Sequence, residues 1–223
     1  MIEHVYRRAQ AARRVTDVLV ATDDPRIAEA VDAFGGTAVM TRADHPSGTD
    51  RLAEVAAHLT CDLVVNIQGD EPMLDPAAVD AAIAPCLDDA TVMMSTLRTP
   101  LAPADASNPN VVKVVVAQNG DALYFSRASV PYVRPGQPPA QAWRHLGLYV
   151  YRRQTLLQLA QLPPTALEQA EGLEQLRALE HGIRLRTVET LTSSPSVDTP
   201  DDLARVRQLM DHLPLPLSVR PHA

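Results

Sequence analysis

Val64-Val65-Asn66-Ile67-Gln68-Gly69-Asp70-Glu71-Pro72 is the stretch that decides how this chain is read. Leu63 to Ile67 is a short apolar run with β-branched residues, the pattern of a strand buried on both faces of a parallel sheet. It stops on an amide, a flexible joint, two carboxylates and a helix breaker. Open α/β sheets bind ligands just beyond the carboxyl ends of their strands. Asp70 and Glu71, placed there after a glycine that admits a close ligand, suit a hard divalent cation carrying phosphates. The same two acids would equally favour the N-terminus of a following helix, so the motif alone leaves both readings open.

Outward from this strand the chain alternates. Ile2, Val5, Tyr6 and Ala9 recur at helical spacing, predicting a helix to about Arg14. Asp17 to Thr22 reads as a strand, and Asp24 caps a helix with Pro25 at its first position and Gly35 just past its end. Thr37 to Met40 is a second strand, followed by the polar loop Arg42 to Arg51 and a helix to about Leu59. Asp75 and Pro76 open another helix, ending near Cys86. Strand and helix in alternation predict a mostly parallel sheet covered on both faces.

Beyond this the rhythm changes. Val92 to Thr96, Val111 to Val116, Ala122 to Ser126 and Leu146 to Tyr151 read as strands. Gln118-Asn119-Gly120-Asp121 is a hairpin signal, so an antiparallel segment over about 111–151 interrupts the α/β pattern. Helices are expected at Gln154 to Gln161 and Ala166 to His181, then a strand at Arg184 to Val188. Thr199-Pro200-Asp201-Asp202 starts the last helix with a capping-box arrangement. One domain over 1–212 is expected, with a loose tail at 213–223.

The 223 residues, 46% of them hydrophobic, suffice for one substantial α/β domain. A formal charge of -7 with acids and bases interspersed argues against a nucleic-acid partner. Cys61 and Cys86 fit no metal or redox spacing, and a reducing cytoplasm is the expected setting. No apolar run is long enough to predict a membrane span. Lys113 is the sole lysine and lies in a valine-rich run, which excludes a P-loop.

Other polar clusters carry two readings each. Ser47, Gly48 and Thr49 precede a helix N-terminus, where backbone N–H groups hold a phosphate or simply receive a cap. Arg127 and the Arg144-His145 pair stand at strand ends, where they either bind a carboxylate or are solvated. Glu174 and Gln175 read as an exposed helix face, and Asp198 as a favourable charge before a helix.

Taken in order, Thr41 to Thr49, Asn66 to Pro72, Tyr124-Phe125-Ser126-Arg127-Ala128, Arg144-His145-Leu146-Gly147, Leu173 to Arg177 and Val197-Asp198-Thr199-Pro200 closely resemble the 3-deoxy-manno-octulosonate (Kdo) cytidylyltransferases. The resemblance runs from Met1 to about Met210. It implies a Rossmann-like α/β nucleotidyltransferase whose antiparallel insert forms a homodimer interface. It also implies transfer of CMP from CTP to the eight-carbon sugar acid Kdo, with magnesium as cofactor, as a step toward lipopolysaccharide. On that basis Asp70 and Asp198 are expected as the magnesium ligands. Gln68, Arg127, His145, Tyr149, Glu174 and Gln175 are expected to hold the sugar acid, with Arg127 and His145 on its carboxylate. Arg42, Ser47 and Thr49 are expected at the cytidine nucleotide.

Two alternatives accompany this reading: another acceptor such as a sialic acid, or a non-catalytic sugar-acid-binding remnant. Members of the family begin with a strand and a loop bearing glycine, arginine and lysine that grips the triphosphate. Met1-Ile2 falls where the family has an internal Met-Ile pair. Two expectations follow for the chain as given: little cytidylyltransferase activity, and an exposed hydrophobic sheet edge with lowered stability or aggregation. Robust CMP-Kdo production by material with a verified N-terminus would refute the first, and a monodisperse, cooperatively melting sample would count against the second.

Overall fold

The computed structural model describes residues 1–138, 140–192 and 194–211; the tail expected at 213–223 lies outside the described residues. Two compact units are present. The first takes residues 1–60, 66–81 and the described residues from 192 onward, and the second takes 61–65 and 82–191.

In the first unit, helix α1 (Ile2–Ala11) buries Val5, Tyr6 and Ala9, the stripe its sequence spacing predicts. Strands β1 (Val20–Thr22) and β2 (Ala38–Met40) pair in parallel with Val20 opposite Ala38. Helix α2 (Pro25–Ala33) makes the crossover that parallel strands require. Its start follows from Asp24, whose carboxylate accepts the Arg26 N–H at 2.8 Å, and Gly35 turns the chain at φ 76° just beyond its end. Helix α3 (Gly48–Ala57) begins at Ser47, and α4 (Pro76–Asp88) begins in this unit and continues into the second. The last helix of the unit, α8 (Pro200–Met210), opens with the capping box of Thr199 and Asp202.

The second unit is built on a mixed sheet of β4 (Met94–Pro100), β5 (Lys113–Val116), β6 (Ala122–Ser126), β7 (Trp143–Arg152) and β8 (Leu185–Glu189), in the order β6-β5-β7-β4-β8. Strand β7 runs antiparallel to β4 and β5, β6 antiparallel to β5, and β8 parallel to β4. The β5–β6 hairpin closes through Gly120, at φ 88°, whose N–H donates to the Ala117 carbonyl at 2.9 Å. Helices α5 (Arg153–Leu159), α6 (Ala166–Glu171) and α7 (Gln175–Glu180) follow β7. Their buried Leu156, Leu159 and Leu176 belong to the same core as Met94, Leu97, Val114, Phe125, Val150 and Leu185.

Several elements differ from the sequence reading: α1 stops at Ala11 rather than about Arg14, β4 runs on past Thr96 to Pro100, and three further differences bear on the site. The strand over Leu63 to Ile67 is β3 (Leu63–Asn66), and Leu63, Val64 and Val65 are only half-buried. Among the described residues its strand partner is β7 alone, so its apolar run marks an incompletely covered strand rather than one buried on both faces. The helix expected over Ala166 to His181 is broken in two, because Gly172 takes a left-handed conformation at φ 61° and ends α6. Strand β7 starts three residues before Leu146, since Trp143, Arg144 and His145 pair with Pro100, Thr99 and Arg98. No helix among the described residues is long and apolar enough to cross a membrane.

A buried ion pair holds the broken helix together. The Arg177 guanidinium donates Nε to Glu168 Oε2 at 2.8 Å and Nη2 to Oε1 at 2.5 Å, with both residues less than one-tenth exposed. Burial pushes the Glu168 carboxyl up, but Arg177 and the Thr165 N–H outweigh it and hold the carboxyl below its ordinary value. A depressed carboxyl stabilises the fold above the ordinary carboxyl range, and that contribution is lost as pH falls through the folded value. Arg177→Met leaves the buried carboxylate unpaired and should cost about 3–5 kcal/mol at neutral pH. The deficit should shrink on acidification; denaturant melts at pH 7 and in the acid limb check both, and an equal deficit at both would contradict this account.

Candidate active site

The turn after β3 places the first carboxylate. Glu71 donates its N–H to Gln68 O at 3.4 Å and Leu74 to Glu71 O at 3.1 Å, which leaves Gln68 and Gly69 exposed and Asp70 half-buried. The Val197 N–H then donates to the Asp70 carbonyl at 2.9 Å. This backbone bond brings Asp198, the next residue, beside Asp70. Ser196 Oγ donates to Asp198 Oδ2 at 3.0 Å, and the Thr199–Asp202 capping box fixes the backbone immediately after it. Burial raises the Asp70 carboxyl above its ordinary value, and the charge of Asp198 raises it further; only its own N–H acts the other way. Two carboxylates drawn together against their repulsion, with oxygen donors only, fit magnesium, which uses one or two carboxylates and fills its remaining positions with phosphate oxygens and water.

The loop ahead of α3 is fastened by that helix. Arg51 Nη1 donates to Thr41 Oγ1 at 2.5 Å and to the Arg42 carbonyl at 3.3 Å, and pairs with Asp23 at 3.2 Å. Glu54 accepts the Arg42 N–H at 3.3 Å and meets His45 Nε2, and the His45 contact holds its carboxyl below the usual range. Ser47 caps α3: its hydroxyl accepts the Asp50 N–H at 3.2 Å and donates to Asp50 Oδ2 at 2.6 Å. Thr49 sits in the first turn, and the Arg42 side chain, 68% exposed, projects from the loop with Asp44 at 3.5 Å.

In the second unit a second cluster forms around the ends of β5, β6 and β7. Arg127 donates Nε to Glu171 O at 2.7 Å, Nη1 to Pro109 O at 3.1 Å and Nη2 to Gly172 O at 3.4 Å. The Glu171 carboxylate accepts the Arg127 N–H at 2.9 Å and the Ser126 hydroxyl at 2.7 Å. Lys113, fully buried, donates to the carbonyls of Asn108, Val111 and Arg127 at 2.9, 2.7 and 2.5 Å. His145 packs edge-on to Phe125 with ring centroids 4.8 Å apart and lies 5.4 Å from the Tyr149 ring. Burial, with the neighbouring Arg144 charge, lowers His145 to about 3, so it is neutral at physiological pH. Burial, with Tyr151 and Glu174, pushes the Tyr149 phenol well above its ordinary value.

The helix break at Gly172 moves Glu174 and Gln175 from a helix face to the start of α7. Glu174 is exposed there, while Gln175 is 5% exposed and its Nε2 is buried without a partner. Gln68 lies in the first unit and the other expected sugar-acid residues lie in the second. Sequence reasoning missed Glu171 and Thr96, whose contacts depend on strands distant in the chain, and Lys113, which joins its own loop to the Arg127 carbonyl. The one available signal was a lone lysine in an apolar strand, a position where an ammonium must find buried acceptors.

Asp198→Asn should lower the Asp70 carboxyl toward its ordinary value while leaving the part due to burial. A carboxyl-carbon NMR titration of Asp70 checks this, and an unmoved midpoint would mean the two side chains do not sense each other. Because a raised carboxyl disfavours the charged folded form, Asp70→Asn should melt at a higher temperature than the parent at pH 7.

The profile of the cytidylyltransferase family matches residues 1–188. The 3-deoxy-manno-octulosonate cytidylyltransferase of Myxococcus xanthus is 54% identical over 211 residues, covering 94% of this chain and 85% of its own length. That of Geobacter metallireducens is 52% identical over 217 residues, covering 92% of this chain and 85% of its own. A solved CMP:2-keto-3-deoxy-manno-octonic acid synthetase complexed with CTP superposes with a TM-score of 0.91 at 48% identity, covering 94% of this chain and 87% of that one. A putative glucose-1-phosphate thymidylyltransferase from Bacillus anthracis, 16% identical with a TM-score of 0.62, shares the nucleotidyltransferase fold. Matched along nearly its whole length by such relatives, the chain belongs to the 3-deoxy-manno-octulosonate cytidylyltransferase family.

Proposed function

We propose that the chain transfers the cytidylyl group of CTP to Kdo. The anomeric hydroxyl oxygen of Kdo forms a bond to the α-phosphorus, and the bond from that phosphorus to the bridging oxygen of pyrophosphate breaks. Pyrophosphate departs with the electron pair, and the hydroxyl proton is released. The observation that carries this reading, in a chain of this family, is the convergence of Asp70 and Asp198 through the Val197 N–H. No side chain need be acylated or phosphorylated, so the protein's contribution is positioning and electrostatics.

Asp70 and Asp198 would hold magnesium, which when bound supplies positive charge at the phosphate oxygens. Arg42, Ser47 and Thr49 are assigned to the nucleotide: the loop is held rigid by Arg51 and Glu54 while the Arg42 guanidinium stays exposed. Gln68, Arg127, His145, Tyr149, Glu174 and Gln175 are assigned to the sugar acid. Arg127 is the permanent cation among them and the natural partner of the carboxylate, and the unpaired Gln175 amide is suited to a hydroxyl. The antiparallel segment is assigned to a homodimer interface on the family resemblance, with Leu123, exposed on edge strand β6, within it.

Pyrophosphate release measured with Kdo and with a sialic acid as acceptors tests the reading. Release should require CTP and Kdo together, and a preference for the sialic acid would overturn the assignment. Asp70→Asn and Asp198→Asn should each lower kcat roughly 100-fold or more relative to the unsubstituted chain. Loss of Kdo affinity with kcat intact in either variant would remove them from the phosphate chemistry.

A further inference from the structure

His145 sits against an irregularity in the sheet that fixes which of its nitrogens carries the proton. Strand β4 pairs with β7 in one register through Thr96, opposite Tyr149, and resumes with Leu97 opposite Leu146. Gly147 and Leu148 therefore form a bulge with no partner residues on β4. Into this bulge points the Thr96 hydroxyl, whose residue is fully buried. Its oxygen lies 2.7 Å from the Leu148 carbonyl, 3.2 Å from the Leu146 carbonyl and 2.9 Å from His145 Nε2.

A threonine hydroxyl has one proton to give. At 2.7 Å from a carbonyl oxygen, that proton must lie on the Leu148 contact, because two bare oxygens at such a distance repel. The hydroxyl can then only accept from His145, so Nε2 bears the hydrogen. A neutral imidazole carries one N–H, and Nδ1 is left as a bare acceptor. The neighbouring groups oppose a second proton: the Phe125 and Tyr149 rings cover the imidazole, Arg144 is the preceding residue, and Arg98 is paired opposite in the sheet.

We infer that Thr96 is a positioning residue that locks His145 in the Nε2–H tautomer, so that Nδ1 accepts a hydrogen bond from a hydroxyl of the sugar acid and His145 does not donate to its carboxylate. This deepens the proposed function and rests on it for the identity of the ligand. It also changes the role expected of His145 from the sequence, since a bare Nδ1 repels a carboxylate. Recognition of the sugar acid is thereby divided: its charge falls to Arg127, and a hydroxyl falls to His145.

The tautomer is read directly by long-range proton–nitrogen NMR of histidine-labelled protein, with the His145 signals assigned by their loss in His145→Gln. The unsubstituted chain should show a protonated Nε2 and an unprotonated Nδ1, unchanged from about pH 5 to pH 8. Thr96→Val should release this preference and weaken Kdo binding, read by calorimetry, roughly tenfold. Thr96→Ser, which keeps the hydroxyl, should restore both. A protonated Nδ1 in the unsubstituted chain overturns the inference without any variant, as does Thr96→Val with unaltered Kdo affinity and an unaltered tautomer. Absence of CTP- and Kdo-dependent pyrophosphate release alongside the expected tautomer would instead fault the functional reading and leave the Thr96–His145 arrangement standing.

Discussion

The site depends on one backbone hydrogen bond, from the Val197 N–H to the Asp70 carbonyl. Left to electrostatics, Asp70 and Asp198 would separate: burial raises the Asp70 carboxyl most, and the charge of Asp198 raises it further. A peptide N–H is indifferent to the charge of the side chains it brings together. It is therefore the kind of contact that can hold like charges at a fixed place, especially with a capped helix beginning at the next residue. Groups kept near one another at a net electrostatic cost are common where a ligand relieves that cost, because the fold alone gains nothing from them. On the proposed assignment the same logic makes a third acid unnecessary there: phosphate oxygens would complete a magnesium shell, and a fuller protein cage would compete with them.

The second unit solves a different problem, that of keeping cationic and polar side chains in one geometry without a bound ligand. Arg127 is held through its guanidinium by three carbonyls, through its N–H by Glu171, and through its own carbonyl by Lys113. A long flexible side chain restrained at so many points loses little further freedom when an anion arrives. Lys113 contributes here as a structural ammonium. Its three donors meet three carbonyls, while burial lowers its affinity for the proton.

What the sequence disclosed follows from the range of the interactions involved. Asp24-Pro25 with Gly35, the Asn119-Gly120 turn and the Thr199-to-Asp202 cap are local: each is decided by residues within a few positions, and each is where its spacing places it. The α/β class followed from the same local punctuation. The break at Gly172 was concealed because the flanking sequence keeps a helical period across it, and only the φ of one residue ends the helix. The half-burial of β3 could not be read either, since an apolar strand looks the same whether one neighbour or two cover it. Glu171 was the least legible: its carboxylate is fixed by Ser126 and Arg127, more than forty positions away in the chain, and nothing in its own neighbourhood sets it apart from other exposed helical acids.

The neutrality of the aromatic cluster bears on selectivity. A sugar acid offers one charge and several hydroxyls, and charge alone distinguishes it poorly from other anions. A buried imidazole with a single assigned proton presents one polarity of hydrogen bond in a fixed direction, and a phenol held protonated keeps a donor beside it. A ligand lacking the complementary hydroxyl leaves that group unpaired away from water, which costs more than the bond itself contributes when made. On the proposed assignment, burial turns two weakly polar side chains into discriminating ones. The bulge at Gly147 and Leu148 is what makes it possible, because it frees the carbonyls that orient Thr96 and through it the imidazole.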